Sequence, residues 1–486
     1  MNLRKNLLSG LFWIVLANIL VKPFWILGVD RGVQNAVGAE SYGFYFAIFN
    51  LAYIFNILLD LGVTNFNTRN IAQQPQLIRK HLSVILSIKL ILLGLYTLVT
   101  LSVGLLLGYS SLQFRLLFWL CVNQFLNSLI IYLRSNFEGL LLFRMDSLLS
   151  VLDRLLMIAI CGCLLWMPHG RVFRIEWFVY AQTAAYVITT LVALAALLRK
   201  TGLKRLTFSR PFTLAILKQS APFALLVLLM ASYNRLDPVL LERLLPDGDF
   251  QAGIYAGAFR LLDALTMIAY LVSVPLLPIY SRLTKEHDRE EISTITRLVF
   301  GLMVVFSATA AITCSWLSEP LMGLMYHDHI AESAQVFRLL IYGIIPISMT
   351  YIFGTLLTAN GNLRHLNLLA STALVLNLAV NLILIPRIAS VGSAWASLAA
   401  QGFMAVTQMA LAMKMFNMKP SFLYTINLVA YVIIIVVANW ACSRAGLSWW
   451  QQTVAVGVTA LTAAFATRLI NLKEIKAIAL SNNNRE

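Results

Sequence analysis

Charge is what this sequence has least of. Asp, Glu, Lys and Arg make up 12% of its 486 residues, against about 25% in an ordinary soluble domain. Too few polar side chains remain to cover a water-facing surface of that size, so a soluble globular fold is excluded. Acid is scarcer than base, 21 residues against 37. Cysteine is sparse as well: Cys121, Cys161, Cys163, Cys314 and Cys442 are odd in number, lie mostly in apolar stretches and lack metal-ligand spacing. They read as small buried hydrophobes, so no metal site is expected. No Walker A loop occurs, which argues against direct drive by ATP. No nucleic-acid module interrupts the chain, and nucleic acid is not an expected partner. Connections between apolar runs are short nearly everywhere, which leaves no sizeable soluble domain to house an active site, and the chain does not read as an enzyme.

What is present in quantity is apolar surface: 59% of residues are hydrophobic and the mean hydropathy is +0.79. A membrane-crossing helix needs roughly 20 apolar residues to span about 30 Å of hydrocarbon. Fourteen such runs occur, at about 7–29, 42–63, 82–108, 112–134, 147–167, 177–198, 213–233, 252–280, 294–317, 336–358, 363–385, 391–413, 422–442 and 448–470. They are too long for barrel strands, which alternate over about ten residues. The expected fold is therefore an all-α polytopic membrane protein with about 14 transmembrane helices. Arg4 and Lys5 precede the first run as they would a signal peptide. That run is too long for an h-region, contains Lys22-Pro23 and offers no convincing cleavage site, so it reads as a retained span.

Loop charge gives the orientation. On the N-terminal side the connections and tails hold 25 Lys and Arg, against 9 on the other side. That bias puts both termini in the cytoplasm, and the net charge of +16 mostly follows from it and from attraction to anionic headgroups. The longest basic connection, "RKTGLKRLTFSRP" at 199–211, marks a seam between six-helix halves. The expected domains are 1–210, 211–414 and a pair of C-terminal spans with a tail at 415–486. A repeat supports the seam: "GFYFAIFNL" (43–51) and "GIYAGAFRL" (253–261) match at four of nine positions with an offset of 210. Both open an even-numbered span, so the repeat is parallel, as between the halves of many transporters.

Three longer stretches carry a family resemblance. "ESYGFYFAIFNLAYIFNILLDLGVTNFNTRNIA" (40–72) resembles the second span of bacterial polysaccharide flippases. "APFALLVLLMASYNRLDPVLLE" (221–242) with "GIYAGAFRLLDAL" resembles their seventh and eighth spans. "NLAVNLILIPRIASVGSAWASLAAQ" (377–401), with N-x(3)-N, I-P and G-x-A-x-A, resembles their eleventh and twelfth. These are the O-antigen and lipid-linked oligosaccharide flippases of the MOP superfamily, relatives of lipid II flippases and MATE multidrug exporters. The resemblance implies a V-shaped, pseudo-symmetric pair of six-helix bundles with two extra helices and a central cavity working by alternating access. It implies an undecaprenyl-pyrophosphate-linked oligosaccharide as substrate, a bacterial cytoplasmic (inner) membrane location and other glycan-assembly proteins as partners. Ser390 and Ser393 stand where the family pattern calls for Gly and Ala.

Charges inside the spans are the candidate functional groups. A central Arg, Lys or Asp costs about 2.5–3.5 kcal/mol on the insertion scale, so such groups face a bundle interior or water. Arg260 is the deepest, and Asp263 shares its helix face at i+3. Arg260, Lys22, Lys89, Arg154 and Arg235 are the cationic candidates, since arginine's planar fork donates two hydrogen bonds to one phosphate. Competing readings are a structural Arg260–Asp263 pair, snorkelling by Lys22 and Lys89, and an interfacial Asp153–Arg154 pair. Asp60, Asp237 and Asp263 are the ion-coupling candidates, because a carboxylate in a poorly hydrated site exchanges protons or ligates sodium. For Asp237, before Pro238, helix capping is the competing reading. No cofactor is expected; the coupling ion is H⁺ or Na⁺, between which the sequence does not choose. His327, Asp328 and His329 read as a polar loop. The alternatives to a flippase are a MATE-type exporter of small amphipathic cations, which wants an acidic cavity, and a membrane glycan polymerase or ligase, which wants a large outer loop.

Overall fold

In hydrocarbon every backbone N–H and C=O needs a partner within its own segment, which leaves the helix as the form an apolar run of 20 residues can take. The computed structural model follows that rule. It describes residues 24–64, 78–140, 142–166, 172–201, 210–273, 275–418 and 422–469, with 21, 67, 68, 71, 74 and 76. Lys22, Pro23, most of the first run, most of the 199–211 connection and the C-terminal tail lie outside the described residues.

A π-helical turn, Trp25–Asp30, leads into α1 (Arg31–Ile54), which a 3-10 turn, Phe55–Leu59, prolongs. There follow α2 (Ile78–Leu106), α3 (Ser111–Gly139), α4 (Phe143–Trp166), α5 (Ile175–Thr201), α6 (Arg210–Arg235), α7 (Asp237–Leu244) and α8 (Gly248–Ser273). Next come α9 (Leu276–Glu286), α10 (Arg289–Trp316), α11 (Ser318–Met325), α12 (Ile330–Leu340), α13 (Ile344–Ala359), α14 (Leu363–Phe416), α15 (Phe422–Arg444) and α16 (Trp449–Ala466). Among the described residues ten helical stretches are long and apolar enough to cross a membrane, and the α6–α7 pair, bent by 48°, makes an eleventh. Two of the ten carry a sharp internal break, so the helices follow the expected runs.

The breaks have local causes. Gly38, at φ 80°, separates the end of the first span from the second, in a conformation open to glycine at little cost. In α14 the helix gives way at Ile388 and Ala389, just beyond Pro386, whose missing N–H weakens the ladder. There the chain doubles back: Ser393 Oγ donates to Asn381 Oδ1 at 2.9 Å, and a Cβ on Gly392 would strike the Leu384 carbonyl. In the run expected at 252–280, α8 gives way at Pro275 to the amphipathic α9, within a single stretch long and apolar enough to cross a membrane. Pro222 sits inside an unbroken α6. Pro346 falls just after a 3-10 turn, Ile341–Gly343, that joins α12 to α13.

The chain divides into two compact units, Met1–Gly253 and Ile254–Glu486. In the first, α2, α3, α4 and α5 share a core around Ile85, Ile88, Leu133, Phe137, Leu149 and Leu197. In the second, Val305 and Ile312 of α10 pack with Tyr431 and Ile435 of α15 and Val456 and Ala460 of α16. Thr309 pairs with the Tyr431 hydroxyl at 2.7 Å, and Gln452 donates to Asn439 at 3.1 Å. These contacts fasten the last two helices to α10.

Candidate functional site

The first unit carries a polar interior beneath an apolar exterior. Where the second span ends, the chain turns through Leu61 (φ 44°) and Gly62 (φ 80°), and the end of the helix leaves the Leu59 carbonyl without an intrahelical donor. Lys89 of α2 fills that gap. Its ammonium donates to Leu59 O at 3.0 Å, to Asp60 Oδ1 at 2.6 Å and to Ser128 Oγ at 2.9 Å. All three N–H bonds are used, with Nζ 5.9 Å from the centre of the Tyr132 ring. Asp60 also accepts from the Thr64 hydroxyl. Lys89 is 1% exposed, so it does not snorkel; it is sequestered with Asp60.

A second cluster forms around Arg154, eleven residues into α4. That is about 16 Å along the axis at 1.5 Å per residue, near the middle of the helix and not at its interfacial end. Nη1 donates to the Tyr186 hydroxyl at 3.3 Å, Asp153 pairs with it at 3.4 Å, and the guanidinium lies 5.7 Å from the Trp25 ring centre. Trp25 stacks on Phe178 at 5.9 Å, and Phe178 meets Tyr45 edge-on at 5.4 Å. Close by in sequence, buried Asp30 accepts from the Tyr42 hydroxyl at 2.9 Å. The assembly is a cation held by one carboxylate and one phenol inside an aromatic wall.

The bend between α6 and α7 brings out two more candidates. Arg235, the last residue of α6, lies 5.0 Å from the Tyr53 ring centre. Asp237 opens α7 fully buried, directly after Leu236 at the N-cap position. At the far end of α7, Glu242 takes a bidentate pair from Arg243 and a 2.6 Å bond from Gln113. Arg243 also donates to Leu107 O at 2.9 Å and stacks 4.5 Å over Tyr109. Burial first, and then the Glu242 charge, hold the Tyr109 phenol well above its usual range, so its ring stays neutral beneath the guanidinium.

The first unit also holds a set of buried and part-buried amides, which carry no formal charge to mark them in the sequence. Asn56 donates to Gln124 at 2.7 Å, Asn123 to Gln182 at 3.1 Å, and Asn67 to Ser135 at 2.9 Å. The signal was available, since Asn123 and Gln124 interrupt an apolar run.

In the second unit Arg260 and Asp263 are one turn apart on α8, each half-buried. Arg260 stands twelve residues from Gly248 in a helix of 26, close to its midpoint. The N-x(3)-N motif is a neutral cluster: Asn381 donates to Asn377 Oδ1 at 3.1 Å and accepts from Ser393, and all three are fully buried. Ser393 thus supplies its hydroxyl to this amide cluster. Among the described residues no group of His, Cys, Asp and Glu has the arrangement of a metal site. His329 of the 326–329 loop instead faces Glu332 at 3.6 Å.

The comparisons agree with this architecture. A family model described as "Polysaccharide biosynthesis protein" matches residues 7–284, and one described as MatE matches residues 222–383. A search of curated protein sequences finds no match. A lipid II flippase, MurJ, in an inward closed conformation superposes with a TM-score of 0.65 at 14% identity, over 93% of this chain and 98% of that one. An inward-facing multidrug resistance MATE transporter of the MOP superfamily gives 0.63 at 13% identity, over 81% and 94%. A MATE transporter from Vibrio cholerae gives 0.57 at 15% identity, over 86% and 98%. At such identities the likeness establishes the fold.

Proposed function

The chain belongs to the polysaccharide biosynthesis protein family, and from that premise we propose that it flips an undecaprenyl-pyrophosphate-linked oligosaccharide across the bacterial cytoplasmic membrane by alternating access. Both termini lie in the cytoplasm in this reading, and inward movement of H⁺ or Na⁺ drives the cycle. The observation that carries it is the arginine near the midpoint of α8. Arg260 stands about 18 Å from Gly248 at 1.5 Å per residue, in a helix of 26 residues, where the membrane charges most for a cation. A pyrophosphate headgroup is a ligand suited to an arginine there, since a guanidinium grips it through two parallel hydrogen bonds. Arg154 and Arg235 add cationic surface in the first unit. Asp60, Asp237 and Asp263 are the carboxylates through which an ion is coupled.

Complementation tests it. In a strain lacking an oligosaccharide flippase and supplied with the matching glycan, the wild-type chain restores surface-glycan export. Arg260→Ala abolishes export at equal expression, and Arg260→Lys recovers part of it. Normal export by Arg260→Ala overturns the phosphate-holding role. The MatE match over 222–383 favours a second reading, export of small amphipathic cations. Resistance to cationic dyes conferred by the wild type, without glycan export, selects that one.

A further inference from the structure

The second unit contains a cleft that none of the residues above explains. It has a volume of about 400 Å³ and lies between the first turns of α10, the end of α14 and the start of α15, with Phe353 of α13 at its back. Ligand pockets span roughly 300–1,000 Å³. Its walls are apolar and soft. Phe300 meets Phe353 at 5.8 Å and Tyr424 at 6.3 Å, and Met409 and Met413 face them. Methionine linings adapt to flexible, irregular guests. One flank is braced from outside by α9, where the Tyr280 hydroxyl pairs with Thr296 at 3.0 Å.

One cation lines this cleft. Arg297 is exposed, and among the described residues it has neither a hydrogen bond nor an ion pair. It stands eight residues into α10, about 12 Å along the axis. Because α10 has 28 residues, and so outruns the roughly 30 Å hydrocarbon layer by about 12 Å, the guanidinium reaches headgroup level by snorkelling. An apolar cleft opening beside one arginine that has no hydrogen bond or ion pair among the described residues matches an amphiphile with a single anionic phosphodiester. Basic pockets between transmembrane helices bind such headgroups.

We propose that this cleft is a binding site for an anionic glycerophospholipid of the bilayer, one acyl chain lying between Phe300 and Met409 and the phosphate on Arg297. The site is separate from the groups assigned to the transported substrate, and its occupancy braces α15 against α10. A neutral zwitterionic lipid gains the chain contact but carries its own cation to the arginine.

The test uses the full-length protein in detergent, with phosphatidylglycerol, phosphatidylcholine or glycerol 3-phosphate added. Bound lipid is counted by native mass spectrometry and stability is followed by thermal melting. The wild type retains phosphatidylglycerol about tenfold better than phosphatidylcholine, equivalent to roughly 1.4 kcal/mol, and melts higher with it. Arg297→Gln, an exposed change, loses that preference while its lipid-free melt is unchanged; Arg297→Lys keeps most of it. Met409→Trp fills the cleft and lowers retention of both lipids. Equal phosphatidylglycerol preference in wild type and Arg297→Gln overturns the proposal. So does glycerol 3-phosphate matching the lipid's effect, which identifies a free-phosphate site. Glycan export is not the readout, so failure here leaves the proposed transport function standing.

Discussion

Gly43 and Gly253 meet backbone to backbone. A Cβ on Gly43 would fall on the Asp249 carbonyl oxygen, and one on Gly253 would fall on the Ala39 carbonyl oxygen. Residues 39 and 249 carry the same offset of 210 as the glycines themselves, so the close approach is reciprocal. Gln34 adds a 3.2 Å bond to Gly253 O. The repeat read from "GFYFAIFNL" and "GIYAGAFRL" thus has a physical reason at its first letter: glycine permits the close approach. Gly43→Ala and Gly253→Ala are each expected to destabilise by about 1–3 kcal/mol through overpacking, seen as a lower melting temperature in detergent. An unchanged melt for both removes the contact.

The Lys89–Asp60 pair predicts non-additivity. Asp60→Asn strands a buried ammonium and is expected to cost about 3–5 kcal/mol. Lys89→Met combined with Asp60→Asn leaves no stranded cation and is expected to cost less than Asp60→Asn alone. A double-mutant cycle read by thermal melting checks this, with a coupling of about 0.5–3 kcal/mol expected for groups in contact. Strictly additive losses contradict the pairing.

For Arg154 the expected sensitivity is to shape as much as to charge. Arg154→Lys keeps the cation but gives up the fork and the stacking on Trp25. Under the proposed function, export is expected to fall about tenfold, or roughly 1.4 kcal/mol, at normal protein levels. Tyr186→Phe removes a single 3.3 Å bond and is expected to leave most export intact. Wild-type export by Arg154→Lys reduces Arg154 to a structural cation.

Ala389 holds φ 48° and ψ −130° at the hinge of α14, a conformation that costs a residue with a side chain about 1–3 kcal/mol. Ala389→Gly is expected to raise the melting temperature by relieving that strain, and Ala389→Val to lower it. The reverse order would place the bend elsewhere.

The spans were legible because hydrophobic length is a one-dimensional property, and the hinge at 388–389 falls in the gap between two apolar runs. The place of Arg260 well inside α8 followed from counting residues along one run. Partnership between runs was not legible. Asp60 and Lys89 are both visible as in-span charges, yet nothing in their spacing says that a spent helix end at Leu59 will turn one towards the other. Arg154 looked interfacial because the apolar run begins near 147, whereas the helix starts at 143 and carries it to the middle. The amide set escaped because Asn and Gln carry no formal charge, although buried away from water they too need hydrogen-bond partners.

The pairing of Lys89 with Asp60 also bears on how this protein responds to voltage. Moving one elementary charge through the full membrane potential is worth about 2.3 kcal/mol per 100 mV. A cation and an anion 2.6 Å apart travel together, and their contributions cancel. A rearrangement that carries the turn at Asp60 and the Lys89 stretch of α2 together, with the pair intact, is therefore electroneutral as far as these two residues are concerned, and the two charges act on the field only as a small dipole.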